Sequence, residues 1–326
     1  MNKEELYPIK FNPIFKYRLW GGNKLKTNLN KDYLGENIGE SWEISDVKGD
    51  ETLVSNGNLK GQTLKDLITT YKVDFVGKKV YEEFGTDFPI LIKFIDAEAP
   101  LSIQVHPSNE LAKERHNSFG KNEMWYVMGA DKDAELIVGF NSEMNQDNYK
   151  KHLNDNTILE VLHHEKVSKG DAFYIPTGRV HAIGAGVLLA EIQQTSDVTY
   201  RIYDYKRKDK VTGKERELHT ELAVDAIDFK RYNNYKSDYE KAINTSNVLV
   251  HSPYFKTNFI NISGTLIKDY SNLDSFVIYM CVSGSLELLH NKQSYHLNIG
   301  ETILLPAKIS TVELFSESSE ILEIFF

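Results

Sequence analysis

Two imidazoles, a carboxylate and an amide stand in this sequence at spacings that suit a metal ion. Gln104-Val-His106 places two ligand-capable side chains two residues apart, and on a strand residues i and i+2 project to the same face. Pro107 breaks that strand, and Glu123 opens the next β-like run, Glu-Met-Trp-Tyr-Val. His181 closes the string Gly170-Asp-Ala-Phe-Tyr-Ile-Pro176-Thr-Gly178-Arg-Val-His181. Nitrogen and oxygen donors of these types suit zinc or another divalent first-row ion at about 2.0–2.2 Å, with a position left for water or substrate. Cys281 is the only cysteine, which rules out an intramolecular disulfide and a thiolate-rich metal site. His116, His152, His163, His164, His251, His290 and His296 read as ordinary polar residues.

The His181 string has a degenerate echo. Gly300-Glu-Thr-Ile-Leu-Leu-Pro306 repeats the five residues between Gly and Pro, with Lys308 and Thr311 where Gly178 and His181 would fall. Upstream, Met124-Trp-Tyr-Val-Met-Gly129 parallels Tyr279-Met-Cys-Val-Ser-Gly284, which sets Ile278 at the place of Glu123. The interval is 41 residues from Gly129 to Gly170 and 16 from Gly284 to Gly300, so the first copy carries an insertion. Residues 142–156 are polar and helix-prone and account for it. The Gly, five residues, Pro-x-Gly-x-x-His string resembles the second motif of the cupin superfamily. That resemblance implies two jelly-roll barrels, a bicupin with one intact metal site and one that has lost its ligands.

The elements that must position these residues read as strands. Tyrosine (18) and phenylalanine (16) are plentiful, and residues 88–95, 158–162, 187–192, 198–203, 258–262, 276–282 and 302–305 are short, apolar and β-branched. Many short strands punctuated by Gly, Asn and Asp predict a mainly β fold. Small helical insertions interrupt it. Thr63 and Asp66 form a capping pair ahead of Leu64, Leu67, Ile68 and Tyr71, and Ser108 caps a helix reaching about His116. Leu218, Leu222, Ala226 and Ile227 mark a third helix, and residues 231–245 are polar enough to be a linker. The expected units are an N-terminal segment (1–80), a catalytic barrel (81–232) and a metal-less barrel (233–326).

The chain has 326 residues, 38 Lys+Arg against 47 Asp+Glu and a net charge of −9. An acidic protein is a poor match for nucleic-acid phosphates or an anionic membrane, since both attract basic patches. No apolar run approaches the ~20 residues of a bilayer span, so the expected compartment is the cytoplasm.

A closer resemblance rests on longer strings. They are Leu19-Trp-Gly-Gly22, Gly39-Glu-Ser-Trp-Glu-Ile-Ser45, Pro89-Ile-Leu-Ile-Lys93, Pro100-Leu-Ser-Ile-Gln-Val-His-Pro107, Gly120-Lys-Asn-Glu-Met-Trp-Tyr126 and Ile175-Pro-Thr-Gly-Arg-Val-His-Ala182. With Thr199-Tyr-Arg201 they resemble the class I mannose-6-phosphate isomerases of the short bacterial type. The resemblance implies one Zn2+ per chain on Gln104, His106, Glu123 and His181, an active-site Arg201, and substrate contacts from Lys93, Ser102 and Lys121. It implies interconversion of mannose 6-phosphate and fructose 6-phosphate through a cis-enediol, with the two lysines and Ser102 suited to the 6-phosphate. A monomer or weak homodimer is expected. Asn122 departs from the family's usual Pro and threatens the placement of Lys121. Trp20, Trp42 and Trp125 read as barrel-wall aromatics and His219 as rim structure. The competing readings are a sugar-phosphate-binding regulatory cupin and an iron-dependent cupin dioxygenase.

Overall fold

A computed structural model describes residues 4–209 and 211–326. Its first barrel has two facing sheets. One sheet runs Leu162–Lys166, Glu135–Phe140, His181–Ile183, Ile103–Val105, Tyr200–Tyr203. The other runs Ala172–Ile175, Glu123–Ala130, Val187–Gln194, Ile90–Ala97, Ile14–Gly22, Ile38–Ile44, so two N-terminal strands extend the catalytic sheet. The central strand Val187–Gln194 is buried at every position because both of its faces are covered. Leu188, Ala190 and Ile192 meet the core shared with the second barrel, whereas Val187 and Leu189 point into the first. The alternation follows from the two-residue period of a strand.

The second barrel is a single sheet in the order Asn247–His251, Lys256–Asp269, Thr311–Phe325, Val277–His290, Gln293–Asn298, with Thr302–Leu305 paired to Val277–His290. Its long strands bend at bulges between Ile262 and Gly264 and between Cys281 and Ser283. Burial pushes the Cys281 thiol up to about 12, which makes it a packing residue. The duplicated turn is real: Gly170 and Gly300 have φ of 91° and 82°, a region that a side chain would strain. Helix Leu64–Tyr71 carries the Thr63–Asp66 capping box and buries Leu64, Leu67, Ile68 and Tyr71 in the core between the barrels.

Four sequence expectations are corrected. Residues 158–162 are not a strand: Ile158–Val161 is a 3-10 turn, and the strand is Leu162–Lys166. The third helix is Thr220–Ala226, and it buries Ala223 and Val224, not Leu218 and Leu222, which are exposed. The polar 231–245 segment is no free linker. Ser237 N donates to Ala172 O at 2.8 Å, Tyr239 Oη donates to Gly170 O at 2.7 Å, and Tyr235 is buried in the first barrel's core, so it lies strapped to that barrel. Finally, the counterpart of Glu123 is Val277. Glu123 pairs with Ile175 and Val277 with Leu305, the fifth residue after each turn glycine. Ile278 faces the inter-barrel core instead. A slip of one residue reverses the face of every side chain on a strand.

Candidate active site and metal centre

Cross-strand pairing assembles the site as two rows, one from each sheet of the first barrel. In the five-stranded sheet His181 pairs with Gln104 and Gln104 with Arg201. Directly opposed residues project to the same face. In the other sheet the row is Trp125, Glu191, Lys93 and Trp42. Glu123 lies two residues before Trp125 on the same strand, and His106 follows immediately after Ile103–Val105. Between the rows is a cavity of about 580 Å³ lined by Gln104 and Arg201 of the first row and by all four residues of the second, together with Ser102, Lys121, Arg18 and Arg216.

His106, Glu123 and His181 are buried, and their ligand atoms lie within 4.8 Å of one another. They form the one such group of His, Cys, Asp or Glu among the described residues. His106 Nδ1 lies 2.9 Å from Val198 O and His181 Nδ1 lies 2.8 Å from Arg179 O. A carbonyl only accepts, so each Nδ1 carries the proton and each Nε2 lone pair is left for a ligand. Those Nε2 atoms are 3.3 and 3.6 Å from the Glu123 oxygens. Burial pushes His181 down to about 3, with the neighbouring His106 adding to it, and burial and Lys121 push His106 down. Both rings are therefore neutral, with the Nε2 lone pairs available to a cation. Neither oxygen of Glu123 accepts a well-directed hydrogen bond, although Lys121 Nζ lies 2.6 Å from Oε1. Gln104 Nε2 is 3.2 Å from His181 Nε2, and a half-turn of the amide presents Oε1 in the same place. The donor set fits a divalent ion.

The lysines are already engaged. Lys93 Nζ donates to Glu191 Oε1 at 3.0 Å and Gln193 Oε1 at 2.6 Å, and Lys121 is paired with Glu123. Both line the cavity, and Lys121 Nζ also lies 3.4 Å from His106 Nε2. Ser102 is buried in the cavity wall, and Arg201 is held by its Nη1 on Glu217 O at 2.8 Å while its buried Nε has no partner. All three tryptophans are buried and line the cavity. His219 is rim structure: its Nδ1 accepts from Arg201 N at 3.1 Å.

Sequence reasoning missed Glu191 and Arg179. Glu191 accepts from Trp125 Nε1 at 3.0 Å as well as from Lys93, and burial, then the charge of Glu123, push its carboxyl up. A lone acid in the apolar strand VLLAEIQQ was the available signal. Arg179 stacks on Tyr232 and Tyr235 at 4.1 and 4.8 Å and so fixes the carbonyl that orients His181.

Asn122 secures this region instead of loosening it. Its backbone N and Nδ2 donate to Gln194 Oε1 at 3.0 and 2.6 Å, and its Oδ1 accepts from Tyr174 Oη and Thr177 N at 3.1 Å. Asn122→Ala is expected to cost about 3 kcal/mol, because it removes hydrogen bonds to three partners on two segments, buried Gln194 and half-buried Tyr174 and Thr177. Denaturant unfolding measures the loss, and a change below about 1 kcal/mol would contradict this role.

Two neutral imidazoles and a carboxylate held inside a small β-barrel, beside a substrate-sized cavity, define a metal-dependent cupin enzyme. The comparisons with known proteins refine that class. The family model of the type I phosphomannose isomerase catalytic domain matches residues 9–160, and that of the mannose-6-phosphate isomerase cupin domain matches residues 245–323. Mannose-6-phosphate isomerase ManA of Bacillus subtilis is 34% identical over 94% of this chain and 95% of its own length. The mannose-6-phosphate isomerase of Streptococcus mutans is 33% identical over 90% of each chain. The crystal structure of the mannose 6-phosphate isomerase from Bacillus subtilis superposes with a TM-score of 0.88 at 30% identity, covering 98% of this chain and 99% of that one. The chain belongs to the type I phosphomannose isomerase family.

Proposed function

We propose that this cavity interconverts mannose 6-phosphate and fructose 6-phosphate, with Gln104, His106, Glu123 and His181 holding one Zn2+ and with Arg201, Lys93, Ser102 and Lys121 contacting the sugar phosphate. The observation that carries the assignment is the pair of facing rows, His181–Gln104–Arg201 and Trp125–Glu191–Lys93. Aldose–ketose exchange removes a proton beside a carbonyl and returns it one carbon away. A divalent ion on the four ligands supplies Lewis acidity at the sugar carbonyl, where charge develops as that proton leaves.

The remaining tasks fall to the chain's own side chains. Glu191 is the carboxylate best placed to carry the proton, since Glu123 is committed to the ion and Glu191 lines the same cavity one strand from Lys93. Lys93 and Lys121 hold sugar oxygens, and the Ser102 hydroxyl, unpartnered among the described residues, adds another contact. Arg201, across the sheet from Gln104, sets a fixed positive charge about one strand spacing from the ligands. We place the enzyme in the cytoplasm as a monomer or weak homodimer, among the phosphorylated sugars that a charged cavity of this size accepts.

The test is an isomerase assay on a panel of sugar phosphates with metal-stripped protein and with protein reloaded with zinc, manganese or cobalt. Turnover of mannose 6-phosphate should vanish on stripping and return with zinc. Undiminished turnover by metal-free protein would sink the proposal.

A further inference from the structure

Six cations line the catalytic cavity: Lys16, Arg18, Lys93, Lys121, Arg201 and Arg216. Four of them have a carboxylate each. Lys16 is paired with Asp50, Arg18 with Glu40, Lys93 with Glu191 and Lys121 with Glu123. The other two differ. Among the described residues Arg201 has no carboxylate partner within salt-bridge distance, only the Glu217 carbonyl. Arg216 shares a single acid, Asp204, with Arg207. One carboxylate between two guanidiniums leaves a net positive charge, and Arg201 adds a second. Of the other acids on the cavity lining, Asp197 is solvent-exposed, and the partly exposed Asp209 accepts the backbone N–H groups of Thr212 and Val211, which hold its carboxyl low with a smaller contribution from the charge of Arg216. Arg201 and Arg216 are thus the two lining cations without a carboxylate of their own.

Resting on the isomerase reading above, we propose that Arg216 is the residue that captures the phosphate monoester of the substrate, with Arg201 beside it, and that buried Asp204 is its positioning residue. Arg216 donates to Asp204 through Nε at 2.8 Å and Nη2 at 2.6 Å, a fork that fixes the plane of the guanidinium. Asp204 is 5% exposed and follows the Arg201 strand Tyr200–Tyr203 directly. Its second arginine, Arg207, bonds to Pro100 O, so the carboxylate ties Arg216 to the segment that leads into Ser102 and Gln104. The Arg216 segment is also pinned to Arg201 from its other side, where His219 N donates to Arg201 O at 2.7 Å. Nη1 of Arg216 takes no partner among the described residues, and neither does Nε of Arg201. These are donors without a protein partner, at the opposite end of the Gln104–Arg201 row from His181. On this proposal a hexose with its carbonyl end near His181 and Gln104 would reach this wall with its phosphate. Lys93 and Lys121, each with its own carboxylate, are left to the sugar.

The experiment uses the metal-loaded enzyme, with mannose 6-phosphate as substrate and inorganic phosphate as competitive inhibitor. For Arg216→Ala, KM and the inhibition constant of phosphate should both rise about 10- to 100-fold, the expected loss of a charge-assisted bidentate contact, with kcat and metal content much less affected. Arg216→Lys keeps the charge without the fork and should fall between the two. If Asp204 merely offset charge, Asp204→Asn would tighten phosphate binding. The positioning role demands the reverse, weaker phosphate despite the extra positive charge. Phosphate inhibition and KM within about twofold of wild type in folded, metal-replete Arg216→Ala would overturn the assignment, as would tighter phosphate in Asp204→Asn. Wild-type turnover of mannose 6-phosphate is the control: its absence sinks the isomerase reading, whereas normal turnover with an unchanged KM in the variants sinks the role of Arg216.

Discussion

His181→Ala is expected to lose bound metal and isomerase rate together, leaving less than about one-thousandth of wild-type activity, because several kcal/mol of transition-state stabilisation depend on the ion. Four features of the site argue for so large an effect. The ring is buried, neutral and fixed by the Arg179 carbonyl, and it sits opposite Gln104 across the sheet. Removing it takes away one of two imidazoles and also the partner that holds the Gln104 amide 3.2 Å away. The remaining Glu123 would then be a buried carboxylate facing His106 and Lys121 alone. Arg201→Ala supplies the contrast, since Arg201 neighbours Gln104 without belonging to the ligand set. It should keep its metal and lose rate. Metal analysis beside kinetics on both variants decides the matter, and equal metal loss in the two would contradict the division of roles.

Glu191→Gln is expected to reduce kcat by about 10²- to 10⁴-fold, the usual worth of a positioned general base, with metal content intact. Burial and the nearby charge of Glu123 favour the protonated form of Glu191, whereas Lys93, at 3.0 Å, favours the carboxylate. A carboxyl balanced in this way can accept and return a proton, and glutamine keeps the hydrogen-bonding shape while abolishing that capacity. Exchange of substrate hydrogen with solvent offers an independent readout and should fall in step with kcat. A variant whose kcat stays within tenfold of wild type would reassign the proton carrier. The second barrel keeps an acid in the same register: Tyr279 pairs with Glu323 as Trp125 pairs with Glu191. There Glu323 is consumed by structure, accepting from Tyr270 Oη at 2.5 Å, Asn258 Nδ2 at 2.8 Å and Lys268 Nζ at 2.7 Å. Burial favours its protonation, but these donors and the Lys268 charge hold its carboxyl below the usual range. The two barrels therefore share a frame in which one glutamate lines an open cavity and its counterpart is locked in a filled one.

Much of this was legible before folding was considered. Gln104 and His106 are two residues apart, His181 lies at a fixed distance from the turn at Gly170, and the echo at Gly300 announces a second barrel. Capping at Thr63 and Ser108 was equally local, and both helices begin where their caps stand. Signals of this kind survive in a sequence because strand period, turn geometry and capping involve residues within a few positions of one another.

Other features were decided only across strands. The correspondence of Val277, not Ile278, to Glu123, the placement of Glu191 between Trp125 and Lys93, and the strapping of residues 231–245 depend on pairing between segments far apart in the chain. Asn122 looked like a weakness until Gln194, Tyr174 and Thr177 were seen to satisfy it. The charge of the cavity is the clearest case. A net −9 says nothing of a site, and a tally of nearby lysines points to Lys93 and Lys121. Which cations remain uncompensated depends on which carboxylate each one meets in space, and only the folded chain makes Arg207 and Arg216 share Asp204 while Lys93 and Lys121 each find their own. The sequence by itself determined the chemistry of the ligands, through short-range spacing. Tertiary structure decided the register and the pairing of charges, because both are long-range properties of the folded chain.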